Sequence, residues 1–369
     1  MPTLFEKILG IEAAAAIANS MGDVSEGLSY EEIEARYGFL DRLLPQDEPE
    51  RFRKQDWGTV FHYKAHHRPP GMAEDGQERY RLLTSAILEK GGRITVEDLA
   101  RTWARDIKPE NFGYLLGPQD EVIYRSIMAG IPPSEIGRYA IWPAFIGTSK
   151  MIVPIGIVNA CNPRQAALDA HDVARLKDVR GRAGNYANEV AAGIAAGIAE
   201  GLKPGATVQD VVDVALGELS SAPREEVEMG LSWAKECGGD WKALRPLYAD
   251  YYKHRRISNA VEVMSGAVAL LWLTGPDPKE VILRCVNFGR ESDCRAYVAG
   301  CWAASIAGIQ ALPEEWVRTV DEAIANDPWT VSKRSLRESA QGLYDALMNE
   351  IRRSKEQIAL VEQQCAAPA

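Results

Sequence analysis

The sequence lacks several features that would place a chain of 369 residues in a specialised class. Its six cysteines show no CxxC spacing and no paired framework, which argues against a disulfide scaffold and predicts reduced thiols in the cytoplasm. No stretch reaches the roughly 18 to 20 unbroken apolar residues that a membrane-spanning helix needs. Glu6 and Glu12 interrupt the apolar start, and no basic segment precedes it, so a secretory signal is not predicted either. We therefore expect a cytoplasmic protein without a membrane partner.

Positive charge is also scarce. The formal net charge is -10, and the densest basic run is the short segment at residues 253–256. A surface that binds a nucleic-acid duplex needs a basic stripe or patch to neutralise phosphates. The composition therefore predicts no partner of that kind.

Alternating strand patterns are nearly absent, whereas apolar residues recur at helical spacing through most of the chain. Ser29 and Glu32 have the spacing of a capping box, and Thr95 begins another helix. Residues 151–158 form an apolar run that fits either a buried helix or a loop. There is no long Gly, Ser or Pro-rich linker and no internal repeat, so we predict one all-α domain over residues 1–369. The predicted helices cover residues 4–19, 33–37, 77–90, 95–103, 134–140, 163–174, 189–201, 207–219, 222–236, 259–274, 278–286, 293–309, 313–326 and 334–354.

One long segment, residues 45–73, has no helical pattern but is rich in aromatic residues and holds three of the five histidines. Irregular segments of this length are usually functional lids or disordered, and aromatic side chains argue against disorder. His62, His66 and His67 have no cysteine or further histidine at metal-ligand spacing, so substrate contact or packing is favoured over a zinc site. The sequence leaves open whether this segment closes over a substrate.

Two acidic clusters lie far apart in the chain, at residues 74–78 and 291–293. Each follows a turn with glycine and begins a helix. One such cluster is ordinary, because the unpaired amides and the dipole of a helix N-terminus favour negative groups. Two clusters of closely spaced carboxylates could instead converge on divalent cations, which prefer several oxygen ligands. The hypothesis requires Asp75 and Asp293 to lie in one cleft.

The order of these motifs resembles the ADP-ribosylglycohydrolase family, which includes the dinitrogenase-reductase-activating glycohydrolases. The resemblance runs from about residue 7 to about residue 317. Four motifs carry it, in this order along the chain. The first two are the Gly-Asp turn within residues 21–29 and the segment Ala73-Glu74-Asp75. The last two are Asn162-Pro163, followed by the Ala-rich helix at 190–199, and residues 289–294, followed by the segment that closes at 312–316. It implies an orthogonal multi-helix bundle of that type. It also implies hydrolysis of an N- or O-glycosidic bond at a ribose, assisted by a pair of Mg²⁺ or Mn²⁺ ions.

The resemblance assigns roles to individual residues. Asp75, Asp293 and Glu26 would be catalytic, and Asp23 would fix the turn after the first helix or act directly. The metal ligands would be Glu74, Asp75, Glu291 and Asp293. The residues expected to contact substrate are Glu26, Trp57, Trp142, Lys150, Arg182, Asn185, Tyr186 and Arg295. For the tryptophans core packing is the alternative, and for Lys150 and Arg182 it is a surface salt bridge.

Some positions depart from the family pattern. Ala73 and Cys294 stand where the family has threonine ligands; alanine offers no side-chain oxygen, and a thiol is a poor ligand for Mg²⁺. The four carboxylates are retained, so we expect one or two ions. A metal-free alternative pairs Arg290 or Arg295 with these carboxylates. Cys294 as a nucleophile is a further alternative, which the negative charges of Asp293 and Glu291 oppose.

The sequence therefore predicts a hydrolase of ribosyl-type glycosidic bonds acting on a small molecule, either an ADP-ribosyl compound, a nucleoside or a related glycoside. The alternative is a catalytically lapsed relative that binds a nucleotide-like ligand or has a structural role. Retention of Asp75 and Asp293 favours the enzyme, whereas loss of both threonines favours the lapsed protein.

Overall fold

The computed structural model describes residues 1–46, 64, 66–179 and 184–366. Within these ranges β-structure is confined to two isolated bridges, Gln46 with Arg68 and Phe145 with Asn259. The all-α prediction is therefore confirmed. The α-helices of the described residues are α1 (Leu4–Asp23), α2 (Tyr30–Tyr37), α3 (Asp75–Lys90), α4 (Val96–Asp106), α5 (Pro118–Met128), α6 (Pro133–Ile136), α7 (Gly147–Met151), α8 (Val153–Val158), α9 (Pro163–Val173), α10 (Ala187–Gly201), α11 (Val208–Gly217), α12 (Ser221–Glu236), α13 (Leu244–Tyr252), α14 (Ala260–Thr274), α15 (Pro278–Val286), α16 (Ser292–Ala307), α17 (Glu314–Asn326) and α18 (Leu336–Ala366).

Helix starts follow the local signals in the sequence. The hydroxyl of Ser29 accepts a hydrogen bond from the Glu32 amide, and the Glu32 carboxylate accepts one from the Ser29 amide, so the predicted capping box is present. The ambiguous run at residues 151–158 is helical, in the last residue of α7 and in α8. Helices α5 and α13 are additions that the periodicity did not predict.

The C-terminal helix differs most from its predicted bounds of 334–354. It spans Leu336–Ala366, and every side chain from residue 351 to residue 365 is exposed. The predicted end lies close to the point where the buried side chains of this helix stop, whereas exposed apolar residues, namely Ile351, Ile358, Leu360 and Val361, continue beyond it. Residues 355–366 contain neither glycine nor proline and are rich in good helix formers, so the backbone continues without a buried face.

Two helices rich in small residues, α1 and α16, pack against each other and set the position of both acidic turns. At one end of the pair, a Cβ on Gly10 would lie 2.7 Å from the Gly308 backbone; at the other, a Cβ on Gly22 would lie 2.3 Å from the Asp293 Cα atom. The helices therefore run in opposite directions at close range. The end of α1 lies beside the start of α16, where Ser25 Oγ and Ser292 Oγ are 2.9 Å apart.

The second acidic turn, at the start of α3, is held to the same place by α1. The Asn19 side chain donates a hydrogen bond of 2.9 Å to Gln77 Oε1, and both residues are buried. The Ala-rich helix α10 passes through the core with all of its residues buried, as its small side chains predict. The hydrophobic core is one cluster that draws on helices from both halves of the chain. The single-domain assignment itself stays a prediction.

None of the helices in the described ranges combines the length and the apolar character needed to cross a bilayer.

A buried carboxyl in α1 makes stability depend on pH. Burial raises the pKa of Glu12 to about 7, although the Tyr80 hydroxyl donates to it and opposes the shift. Between pH 4.5 and pH 7 the folded protein keeps a proton that the unfolded chain releases, so this group lowers the unfolding free energy as pH rises. We expect the unfolding free energy of Glu12→Gln, which is neutral at both pH values, to rise relative to that of the wild type by about 2.5 kcal/mol between pH 5 and pH 8. Denaturant unfolding of both proteins at the two pH values measures this difference.

The control for that experiment is Glu228→Gln, because the Glu228 side chain is exposed on α12. It should change stability equally at both pH values. A Glu12→Gln effect that is the same at pH 5 and pH 8 would contradict the assignment of a raised pKa.

Candidate functional site

The ends of α1, α3 and α16 meet at one cleft, and the structure brings the two acidic clusters together there. Asp75 and Asp293 both line it, as the shared-cleft hypothesis requires. Several residues singled out from the sequence line the same cleft, namely Asp23, Glu26, Glu74, Asp75, Trp142, Lys150, Glu291, Asp293 and Cys294. Its other lining residues include Arg68, Arg79, Gln119, Lys177 and Ser258.

The side chain of Lys150, from α7, joins the two acidic clusters. Its Nζ lies 2.7 Å from Glu74 Oε1 and also donates to Asp293 Oδ2. Lys150 is only 1% exposed. Burial disfavours the ammonium, but the neighbouring acidic groups, Asp293 first, outweigh it and raise the pKa of Lys150 well above its usual value. Lys150 therefore stays protonated and is the counter-charge that lies between the two acidic clusters.

The arginines proposed from the sequence as counter-charges do not have that role. Arg290 donates to Glu262, with 3.0 Å between Nη2 and Oε2. Arg295 is completely buried, donates to the Gly289 carbonyl at 2.9 Å and lies over the Phe288 ring. Both side chains leave the backbone next to the acidic turn but point away from its carboxylates. The metal-free alternative built on arginine is therefore wrong.

The pKa values of Glu74 and Asp75, at the start of α3, are shifted in opposite directions. Glu74 Oε1 accepts hydrogen bonds from the amides of Gly76 and Gln77. Burial raises the pKa of Glu74 well above its usual value, and the charge of Asp75 adds to this although Lys150 opposes it. Burial would also raise the pKa of Asp75, but the Arg79 guanidinium outweighs it and holds that pKa below its usual range. Asp75 is ionised, and with 31% of its side chain exposed it faces the cleft.

Glu291, Asp293 and Cys294 form a buried group at the start of α16, with one ligand atom of each within 4.8 Å of the others. Ser258 Oγ donates to Glu291 Oε2 at 2.8 Å. Asp293 Oδ1 is buried and has no hydrogen-bond partner among the described residues. A buried acceptor in that state costs about 1–3 kcal/mol unless something else binds it. Burial, together with the charge of Asp293, raises the pKa of Glu291 to about 7.

The two acidic side chains of this group can bind one hard cation, but its cysteine does not act as a thiolate ligand. Carboxylate oxygens are the donors that Mg²⁺ and Mn²⁺ prefer, and Asp293 Oδ1 is available. Burial and the charges of Asp293 and Glu291 raise the pKa of the Cys294 thiol well above its usual value. Cys294 therefore stays protonated and donates to Glu291 Oε1 at 3.0 Å, which argues against a nucleophilic role.

An aromatic surface forms one side of the cleft. The rings of Trp142 and Phe145 stack with centroids 5.8 Å apart, and the Arg256 guanidinium lies over both rings. Asn185 holds the backbone of this segment, since its Oδ1 accepts from the Ala144 amide at 3.1 Å. The aromatic surface can stack on a planar group, and Asn185 supports it without lining the cleft.

The remaining residues predicted from the sequence are placed elsewhere. Tyr186 precedes α10, packs against the hydrophobic core and does not line the cleft. Arg295 is in the core, as described above. His66 packs edge-on against Tyr114 and Trp329. Trp57, Arg182 and His62 lie outside the described residues, as does most of the segment 45–73.

The basic residues that neutralise this cleft from its other side were not predicted from the sequence. Arg79 binds both Asp75 and Asp120, and Lys177 Nζ lies 3.3 Å from Asp120 Oδ1. Arg68 lies 3.2 Å from Asp23 Oδ2. Arg79 is four residues after Asp75 and shares its helix face, so this pair was detectable from spacing. The other pairs join residues that no local pattern connects.

The chain is similar to known proteins in sequence and in fold. A sequence profile described as ADP-ribosylglycohydrolase matches residues 1–356. The chain is 21% identical over 317 residues to a protein of Escherichia coli (strain K12) described as "Uncharacterized protein YegU", covering 83% of this chain and 89% of that protein. It is also similar to a solved structure described as "ADP-ribosylglycohydrolase-related protein complex", with a TM-score of 0.62 and 19% identity over 94% of this chain and 98% of the other. At that identity the likeness shows the fold alone, and it confirms the expected type of fold.

Proposed function

Since this chain belongs to the ADP-ribosylglycohydrolase family, we propose that it hydrolyses an N- or O-glycosidic bond of a small ribosyl compound in the cleft between its two acidic clusters. The observation that carries the proposal is the convergence of Asp75 and Asp293, 218 residues apart in sequence, on that cleft. Carboxylates so placed are suited to glycosidic cleavage, because the transition state develops positive charge on the sugar ring.

The carboxylates have separate roles in this proposal. Asp75 is ionised and partly exposed, so it is the group best placed to accept a proton from the attacking water and to face the developing charge. Glu26 is half-buried at the cleft wall, where it would contact the ribose hydroxyls. Glu291 and Asp293 would hold the cation. A bound Mg²⁺ or Mn²⁺ supplies Lewis-acid polarisation and lowers the pKa of water.

The substrate class follows from the aromatic surface. A nucleobase or another planar aglycone would stack on Trp142 and Phe145, beside the Arg256 guanidinium. The ribose would then reach the acidic wall of the same cleft. We infer a ribosyl substrate that carries a planar group, which is the leaving base of a nucleoside or the adenine that stays on the ribose side of an ADP-ribosyl compound.

A second candidate is a relative that binds such a ligand without cleaving it. It is favoured by the Lys150 ammonium, which pairs with two of the four acidic side chains, and by Ala73, which offers no ligand oxygen. In this case the aromatic surface would still bind nucleotides, but the acidic wall would lack the charge needed for turnover.

A substrate panel distinguishes the two candidates. We expect the purified protein, with Mg²⁺ or Mn²⁺, to release free ribose or ADP-ribose from at least one of ADP-ribosyl-arginine, ADP-ribosyl-serine peptide and simple nucleosides, measured by chromatography with mass detection. Thermal melting with the same compounds reports binding, because a ligand of the folded state raises the melting temperature by mass action. Stabilisation without product would support the lapsed relative. The absence of both stabilisation and product would contradict both candidates.

A further inference from the structure

The position between the two acidic clusters already holds a positive charge. Lys150 Nζ contacts Glu74 on one side and Asp293 Oδ2 on the other. These are the residues whose counterparts in the family are expected to share the divalent cations. Here one carboxylate oxygen from each cluster is directed at an ammonium group instead.

An ion and this ammonium cannot share the position. A Mg²⁺ ion that bridged Glu74 Oε1 and Asp293 Oδ2 would lie roughly 2.1 Å from each oxygen. The Lys150 nitrogen lies 2.7 Å from the first of these oxygens and also contacts the second. The ion would therefore overlap the ammonium group, and the two positive charges would repel each other at close range.

The fold provides a place for this side chain. Gly76, the second residue of α3, lies against the aliphatic part of Lys150, and a Cβ at that position would be 2.2 Å from Lys150 Cδ and 2.3 Å from Cε. A residue with any side chain would block the path of the lysine to Glu74. The absence of a side chain at Gly76 and the burial of Lys150 fix the ammonium between the clusters.

The other side of the cleft remains suited to a cation. Asp293 has two oxygens: Oδ2 binds Lys150, whereas the buried Oδ1 has no partner among the described residues. One carboxylate oxygen of Glu291 and one of Asp293 lie within 4.8 Å of each other. The unpartnered Oδ1 is thus left for one ion, on the same carboxylate that holds the ammonium.

We propose that the Lys150 ammonium permanently replaces one of the two divalent cations, so that this chain binds at most one, through Glu291 and Asp293. The inference builds on the proposed function only in taking this cleft as the cation site, and it holds whether or not the protein turns over a substrate. A lysine that fills one cation position also makes that half of the site independent of metal supply.

Counting bound Mn²⁺ tests the proposal. We expect the full chain to bind no more than one Mn²⁺ by equilibrium dialysis with elemental analysis, and any bound ion to give the spectrum of an isolated Mn²⁺ in electron paramagnetic resonance. Lys150→Met removes the charge at similar length and leaves Glu74 and Asp293 available. This variant should bind one ion more than the wild type, and the ion pair should show spin coupling.

Two further variants make the experiment decisive. Lys177→Met is the matched control, because Lys177 is equally buried at the same cleft but pairs with Asp120, and it should leave the ion count unchanged. Lys150→Ala tests the same charge removal with more space, in case the methionine side chain blocks the position. Circular dichroism confirms that each variant is folded. Two ions in the wild type would overturn the proposal, as would folded Lys150 variants that bind no more than the wild type. Failure to find a substrate would leave this result intact.

Discussion

Replacing Asp293 with asparagine is expected to lower turnover by about 10²- to 10⁴-fold while the fold is retained. Asparagine keeps the shape of the side chain but loses its charge. Among the described residues, the variant would leave the Lys150 ammonium with Glu74 as its one ion-pair partner. It would also weaken the cation position at Glu291, because an amide is a poorer ligand than a carboxylate. Steady-state kinetics on the best substrate of the panel, together with Mn²⁺ affinity, measures both effects.

The matched control is Asp169→Asn. Asp169 is also a buried aspartate that pairs with a cation, since its Oδ2 lies 2.6 Å from Arg93 Nε, but it belongs to α9 and does not line the cleft. This variant should lose stability and keep its turnover per folded molecule. If Asp293→Asn is folded and hydrolyses substrate as fast as the wild type, the proposed active site is wrong.

Gly22→Ala should damage both stability and activity, although residue 22 makes no polar side-chain contact of its own. The added Cβ would lie 2.3 Å from the Cα and 2.6 Å from the Cβ of Asp293. Backbone cannot move aside as a flexible side chain can, so α1 and α16 would have to separate. Overpacking of this kind typically costs about 1–3 kcal/mol. The separation would shift Asp293 relative to Lys150 and Glu74, and we expect turnover to fall by roughly tenfold or more.

The same substitution at an open position provides the comparison. Gly217 is the last residue of α11, and a Cβ there would meet nothing within 4 Å. Gly217→Ala should be neutral or stabilise the protein by about 0.5–1 kcal/mol, because alanine favours the helix. Melting curves and activity assays of both variants test the prediction. Equal behaviour of the two variants would show that the close approach of α1 to α16 does not hold in solution.

Local signals in the sequence were sufficient to predict much of this fold. The capping box at Ser29 and the small residues of α10 each predict a feature that depends on neighbours within a few residues. The acidic turns were likewise identifiable, since carboxylates near a glycine turn at a helix start form a compact pattern. That the two turns lie in one cleft could be predicted only from the order of the motifs across the chain.

The charge partners in the cleft could not be predicted in the same way. Lys150 and Asp293 are 143 residues apart, and nothing local distinguishes Lys150 from a surface lysine. Arg290 is adjacent to the acidic turn and was the natural choice, but its side chain leaves in another direction and binds Glu262. Side-chain direction is set by the packing of whole helices, so proximity in sequence misled the assignment. The unpredicted length of α18 has a different cause, since no buried face accompanies its last turns and helix propensity alone extends it.

The exposed part of α18 has a practical consequence for studying this protein. A helix rises about 1.5 Å per residue, so the 15 exposed residues from 351 to 365 carry the chain roughly 22 Å along the helix axis. Cys365 lies near the end of that distance, and Cys161 is the other exposed cysteine of the described residues. In a Cys161→Ser background, a fluorophore or a surface linker on Cys365 would tether the molecule at a distance from its body, leaving the cleft open for single-molecule measurements of ligand exchange.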